Sequence, residues 1–372
     1  MLEIGAHQLE VAETLIGVGR FLVIFVAARL LAELLVRLQL PTILGELIAG
    51  VIIGASGLHL IVPPDTQAAV SQGLLQLVGS LADIPPDAVA QIYAESFPSL
   101  QTVAGLGLFA LLFLTGLESD LDELVAVGAQ ATTVAVAGVA LPFALGTAGL
   151  MALFHVEVIP AVFAGASMTA TSIGITASVF GELKMLRSRE GQIVIGAAVL
   201  DDILGIVILA VVVSLAGGGS LAIGPILKLV AAAVVFVVAA IGLSRTAAPA
   251  FDWLIDRLQA PGDVAVASFV VLTLCCFAAT AIGLEAALGA FAAGLILSKS
   301  NHSHAIEAAV KPVVALFATI FFVLIGTGMD LSVLNPLDPA NRPGLVVAGF
   351  LLLVAIAGKV AAGWSFLSQQ PT

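Results

Sequence analysis

Residues 191–212 read GQIVIGAAVLDDILGIVILAVV. A bilayer core about 30 Å thick is crossed by roughly 20 apolar residues in a helix, so this stretch predicts one membrane span. Two adjacent carboxylates, Asp201 and Asp202, stand at its middle. One such group at the bilayer centre costs about 2.5–3.5 kcal/mol on insertion scales. A pair is kept either because neighbouring polar groups satisfy it or because it has a use. The use that fits is a cation site: burial and mutual repulsion make protons and a metal cation compete for the same oxygens.

The rest of the chain has the same character. Of 372 residues, 60% are hydrophobic and 10% charged, against roughly 25% charged in a soluble domain. The 37 glycines suit helices that pack closely in lipid. Eleven candidate spans can be marked, at about 14–36, 42–58, 100–118, 126–151, 160–183, 190–215, 225–245, 264–283, 285–299, 313–329 and 344–366. The fold class is therefore all-α, a polytopic helical bundle whose first partner is the lipid bilayer. No basic n-region or small-residue cleavage site precedes the first span, so it reads as a retained helix rather than a signal peptide. The net charge is −12 and no Lys or Arg occurs between Arg37 and Lys184, which argues against nucleic acid. Cationic residues set the orientation. With the N-terminus outside, Arg37, Lys184, Arg187, Arg189, Arg245, Arg257, Lys299 and Lys311 collect in the cytoplasm, while Arg342 lies outside and Lys228 at a helix start. Cys275 and Cys276 read as two ordinary buried thiols. No nucleotide loop, metalloprotease signature or nucleophile triad is present, so an enzyme is not expected, and no cofactor is implied.

An internal repeat runs through these spans. LGELIAGVIIG (44–54) recurs as LGAFAAGLILS (288–298), LFLTGLESDLDEL (112–124) as FVLIGTGMDLSVL (322–334), and VAVAG (134–138) as VAIAG (354–358). The second, third and fourth spans match the ninth, tenth and eleventh. Even spans match odd ones, so the repeats are inverted, an arrangement that in transporters places the substrate site near the midplane. The offsets drop after the first match, consistent with an external insertion at 59–98, where a short surface helix is expected between Pro63-Pro64 and Pro85-Pro86. The domains then run 1–215 (first repeat, with the insertion), 216–262 (linker helix and cytoplasmic loop) and 263–372 (second repeat, lacking mates for the fifth and sixth spans).

Two more spans carry polar groups. The fifth holds Thr169, Ala170, Thr171 and Ser172 at its midpoint, beside Gly165 and Gly174. Hydroxyls and glycines there allow either an interrupted helix, with free carbonyls turned toward the site, or an intact one with hydroxyls bonded back to its own carbonyls. Lys359 lies in the eleventh span, and its repeat mate Val139 sits mid-helix. Either it is deep and paired with the aspartates, or it snorkels to the cytoplasmic surface. Glu46 and Glu285 read as boundary residues, Glu118, Asp120, Asp122 and Glu123 as a solvated turn, and His302 and His304 as loop residues.

On LGELIAGVIIGASGL, LLFLTGLESDLDEL, TATSIGITASVFGELKMLRSREGQIVIGAAVLDDILGI, GLEAALGAFAAGLILS and FFVLIGTGMDL, the chain resembles the Kef-type monovalent cation:proton antiporters of the sodium/proton exchanger superfamily. The resemblance covers most of the chain. It implies the inverted-repeat antiporter fold, with about 11 of its usual 13 helices present and the last two absent, along with the family's arginine-glycine-glutamate-phenylalanine type motif. It implies exchange of Na+ or K+ for protons, with Asp202 as the essential cation- and proton-binding carboxylate, Asp201 as its partner on the metal, and Lys359 as the salt-bridge lysine. It further implies a homodimer working by elevator-like alternating access in the bacterial inner membrane. Spans 1–3 and 8–10 would lie on the dimer side and spans 4–6 and 11 in the moving core. The cytosolic nucleotide-binding domain of some relatives is not in this sequence, which leaves room for a separate regulatory subunit. The residues alone also allow a cation channel or uptake subunit, or a non-transporting membrane protein cut short.

Overall fold

The computed structural model describes residues 5–66, 68–119, 121–216, 223–258, 260 and 262–367. Among them the chain forms fifteen α-helices, one 3-10 turn and no strand. In chain order the helices are α1 (Ala6–Arg37), α2 (Thr42–Ile53), α3 (Gln72–Ala82), α4 (Pro86–Glu95), α5 (Phe97–Glu118), α6 (Leu121–Ala126), α7 (Gly128–Phe154), α8 (Val158–Ser167), α9 (Ile173–Glu182), α10 (Arg189–Ala216), α11 (Ile223–Ile255), α12 (Asp263–Ala281), α13 (Ala286–Leu297), α14 (Ser303–Thr327) and α15 (Arg342–Leu367). The 3-10 turn, Leu331–Leu334, follows α14.

Every predicted span falls on a helix, and the one at 160–183 is divided between α8 and α9. Among the described residues six segments are long and apolar enough to cross a membrane: α1, Pro86–Glu118, α7, α12, α14 and Arg342–Trp364. Helices apolar all round have no single face to turn inward; Phe277 is 73% exposed and Leu353 70%, as lipid-facing side chains are. The bundle is all-α and membrane-spanning. Part of the expected linker, at 217–222, 259 and 261, lies outside the described residues, as does Asp120 of the expected cytoplasmic turn. The rest of that turn is α6, where Asp122 pairs with Lys299 at 2.6 Å.

Two compact units are present, one of Met1–Ala110 with Lys311–Asn335, the other of Leu111–Val310 with Pro336–Thr372. The first contains the hairpin α1–α2, and the second contains its copy, α12–α13. Adding the repeat offset of 244 to the end of α1 at Arg37 gives the end of α12 at Ala281, and both second helices have 12 residues. Each hairpin turns on one left-handed residue, Gln39 (φ 58°) and Gly283 (φ 85°). The bond Leu40 N–H to Leu35 O, 2.9 Å, recurs as Leu284 N–H to Ala279 O, 3.0 Å.

Glycines then press helices together at matching places. A Cβ on Gly45 would lie 2.7 Å from Ala32 Cα, and one on Gly289 2.7 Å from Cys276 Cα. In the first unit a Cβ on Gly50 would meet the Val323 carbonyl oxygen at 2.0 Å, and one on Gly326 the Leu47 oxygen at 2.2 Å. In the second unit the mates do the same: Gly294 against Phe113 O at 2.0 Å and Gly116 against Phe291 O at 2.2 Å. The internal repeat is thus a repeat of structure, and it reaches back into α1 and α12, where the letters no longer match.

The insertion at 59–98 corrects its reading. It holds two helices, α3 and α4, and they are not merely on the surface: Leu75, Val78, Val89, Ile92 and Tyr93 are buried with Ile16 and Ile24 of α1 in one apolar cluster. Pro85 and Pro86 misled because they look like loop punctuation. Pro86 instead opens α4, the position where a missing N–H costs nothing and a fixed φ helps.

Candidate cation site

The site is built on α7, α8, α9, α10 and α15, all in the second unit. The fifth span is interrupted. α8 stops at Ser167 and α9 starts at Ile173, each 10 residues long. Ser172 caps α9, its hydroxyl accepting from Ile175 N–H at 3.3 Å. Thr169 Oγ1 donates to Ala166 O at 2.8 Å and Ser167 Oγ to Ala164 O at 2.8 Å, so hydroxyls supply bonds to carbonyls that the broken helix leaves free. A Cβ on Gly165 would meet Thr147 Oγ1 at 2.2 Å, which shows how tightly α8 lies on α7.

Lys359 reaches into this break. Its Nζ donates to Thr171 Oγ1 at 2.6 Å, to Asp201 Oδ2 at 3.1 Å and to Thr169 O at 3.3 Å. Thr171 Oγ1 in turn donates to Asp201 Oδ2 at 2.6 Å. The Asp201 side chain is 5% exposed and that of Lys359 35%. Lys359 is thus paired with Asp201 in the structure. Its stem passes α7 at Gly138, where a Cβ would come within 3.6 Å of Nζ. An ammonium on the carbonyl end of α8 also meets the negative end of that helix dipole.

Asp201 Oδ1 is buried and receives no hydrogen bond from the described residues. Asp202 is half-buried. Successive residues differ by about 100° around a helix, so the two carboxylates of α10 point different ways. Glu285 and Asp201 are among the charges that act on Asp202. Glu285 is the N-cap residue of α13; the sequence marks it as a turn residue, and only the packing of the second unit gives it this neighbour. Ala170 is exposed in the break and contributes its backbone alone.

The other polar residues singled out lie elsewhere. Glu46 accepts from Thr319 Oγ1 at 2.7 Å in the first unit. His302 pairs with Asp256 at 3.1 Å and His304 with Glu307 at 3.7 Å. Among the described residues no group of three or more His, Cys, Asp and Glu side chains could hold a metal ion. Any cation at Asp201–Asp202 would therefore draw on hydroxyls and backbone carbonyls as well.

Residues 21–369 match the family described as sodium/hydrogen exchanger, transmembrane. The chain belongs to this family. It is 46% identical to the high-affinity Na+/H+ antiporter NhaS3 of Synechocystis over 348 residues, which are 93% of this chain and 76% of that protein. It is 30% identical to the Na+/H+-K+ antiporter GerN of Bacillus cereus, over 82% of this chain and 69% of the relative. Its fold is similar to that of the sodium proton antiporter MjNhaP1 from Methanocaldococcus jannaschii, with a TM-score of 0.62 and 17% identity over 97% of this chain and 80% of that one. The family is one of membrane transporters, not enzymes.

Proposed function

We propose that this family member exchanges a monovalent cation, Na+ or K+, for protons across the bacterial plasma membrane, with Asp202 and Asp201 as the shared cation and proton site. The observation that carries the reading is the network at the broken helix, in which Lys359 and Thr171 donate to Asp201 and Lys359 donates also to the Thr169 carbonyl. Two intramembrane carboxylates, one paired with a lysine and one free of that network, suit a group that trades a proton for a cation. Na+ is favoured because NhaS3 is an Na+/H+ antiporter, and K+ stands beside it because GerN is an Na+/H+-K+ antiporter.

In this reading the Lys359 ammonium holds Asp201 Oδ2, Thr171 Oγ1 and Thr169 O while the site is without a cation. Entry of the cation at Asp202 and Asp201 Oδ1 competes with that ammonium for Asp201, and protonation of the carboxylates releases the cation on the other side. The halves α8 and α9 give the site free backbone carbonyls. The protein works as a Kef-type homodimer by alternating access, its N-terminus outside, α7–α10 and α15 moving as the core.

The test is a pH-gradient fluorescence assay in everted vesicles from antiporter-deficient cells, with Na+ and then K+ added. Cation-dependent dequenching is expected from the chain and none from Asp202→Asn at equal expression. Undiminished exchange by Asp202→Asn would remove Asp202 from the site.

A further inference from the structure

Arg20 plays no part in the proposed exchange, yet it is the most deeply buried cationic side chain among the described residues, 4% exposed within α1. Its Nη1 donates to Ser96 Oγ at 2.9 Å and its Nη2 to the Tyr93 carbonyl oxygen. The guanidinium lies 3.8 Å from the Tyr93 ring centroid and 5.3 Å from that of Phe97. No carboxylate among the described residues pairs with it, and its Nε is buried without a hydrogen-bond partner. A guanidinium has five N–H donors, so three of this one's are left, and its charge meets the Tyr93 and Phe97 rings but no anion among the described residues.

Beside it is a cavity of about 120 Å³, lined by Arg20 and Tyr93 and otherwise by apolar side chains such as Leu75 and Val89 of α3 and α4. Water there would find few of the two to four polar partners it needs. The cavity also borders Gly19 and Leu22 of α1. Leu22 is 63% exposed, as are Val18 at 64% and Leu30 at 66% on the same helix, and a Cβ added to Gly19 meets no atom within 4 Å. The cavity therefore opens sideways, on an apolar face. Arg20 lies 17 residues before Arg37, about 25 Å at 1.5 Å per residue. With Arg37 at one edge of a hydrocarbon core about 30 Å thick, the guanidinium comes close to the level of the opposite head groups.

We propose that this cavity is a binding site for an anionic phospholipid of the surrounding bilayer. An acyl chain enters the cavity along Gly19 and Leu22, and the anionic phosphate stays at its mouth, drawn by the charge of Arg20. An anionic head group balances the unpaired charge, whereas a zwitterionic one brings its own cation beside Arg20. The lipid would join α1 to the α3–α4 hairpin.

The experiment uses the purified full chain in detergent. Native mass spectrometry reads the phospholipid retained, and thermal unfolding is followed with added phosphatidylglycerol or phosphatidylcholine. About one anionic lipid per chain is expected, with phosphatidylglycerol raising Tm by at least about 3 °C more than phosphatidylcholine. Arg20→Gln and Gly19→Phe should each abolish both effects. Should Arg20→Gln fail to fold, Gly19→Phe decides alone, because its ring enters open space. Equal shifts from the two lipids, no anionic lipid on the unaltered chain, or full retention by Gly19→Phe would each overturn the proposal.

Discussion

The hairpins α1–α2 and α12–α13 have the same backbone and different chemistry. Their helix ends, left-handed turn residues and glycine contacts correspond one to one across an offset of 244 residues. Their polar groups do not. Glu46 of α2 bonds Thr319, whereas its mate in α13 is Ala290, which is 0% exposed. α2 is capped by Pro41, which has no charge, and α13 by Glu285, whose charge acts on Asp202. The same holds for α7 and α15: Gly138 and Gly358 are mates, each facing the other helix, but Val139 is matched by Lys359. Repetition here preserves close packing, because a glycine that admits a carbonyl cannot be replaced without moving a helix. Charge is under no such constraint, and each copy carries its own.

The strongest way to break the comparison is at the glycines. Gly50→Leu and Gly294→Leu each place a side chain where a Cβ alone would be 2.0 Å from a carbonyl oxygen. Backbone cannot yield as a flexible side chain does, so each should cost more than about 3 kcal/mol and abolish the monodisperse peak in size-exclusion chromatography. Loss in one copy and tolerance in the other would show that the crossings are not equivalent.

Next in size is the pair of mates at α7 and α15. Lys359→Met leaves Asp201 buried with Thr171 alone. Removing one partner of a buried pair costs about 3–5 kcal/mol; with Lys359 one-third exposed, about 2 kcal/mol is expected, read as a lower Tm. Val139→Met, at the equivalent place, should change Tm by less than half as much. A smaller effect tests α2. Glu46→Ala gives the first hairpin the residue of the second. Thr319 keeps its bond to Ala315 O at 3.1 Å, so the loss should be about 1 kcal/mol and cation-dependent exchange should persist. A collapse of exchange would mean that the carboxylate of the first copy is also part of the transport path.

How much of this was legible follows from the same contrast. Charges in apolar helices stand out, so Asp201, Asp202 and Lys359 could be singled out as candidates from letters alone, and spans long enough to cross a bilayer could be found. The break between α8 and α9 was only one of two readings, because threonines and serines serve a bent helix and a broken one equally well. The correspondence of α1 with α12 was hidden because it rests on helix ends and close approaches; Leu31 and Ala32 share nothing with Cys275 and Cys276 except their place against a glycine. Arg20 gave no signal either. Its partners are 73 and 76 residues away, on α4 and its C-cap, a helix that the paired prolines disguised as loop.

The turn between the paired helices offers the finest test. Gly283 takes φ 85° without a Cβ to obstruct it, while Gln39 takes φ 58° with one. The left-handed region costs a residue with a Cβ about 1–2 kcal/mol, and glycine loses some of that advantage through its freer unfolded chain. Gln39 is exposed, so its side chain gives up little packing when removed. Gln39→Gly should therefore stabilise the first hairpin by about 0.5 kcal/mol, and Gly283→Ala should destabilise the second by about 1 kcal/mol, both read from thermal unfolding in the same detergent. Opposite signs at mated positions are the expectation only if the two turns share one conformation. A loss of stability in both variants would mean that the Gln39 side chain holds its turn by contacts that the second copy does not have.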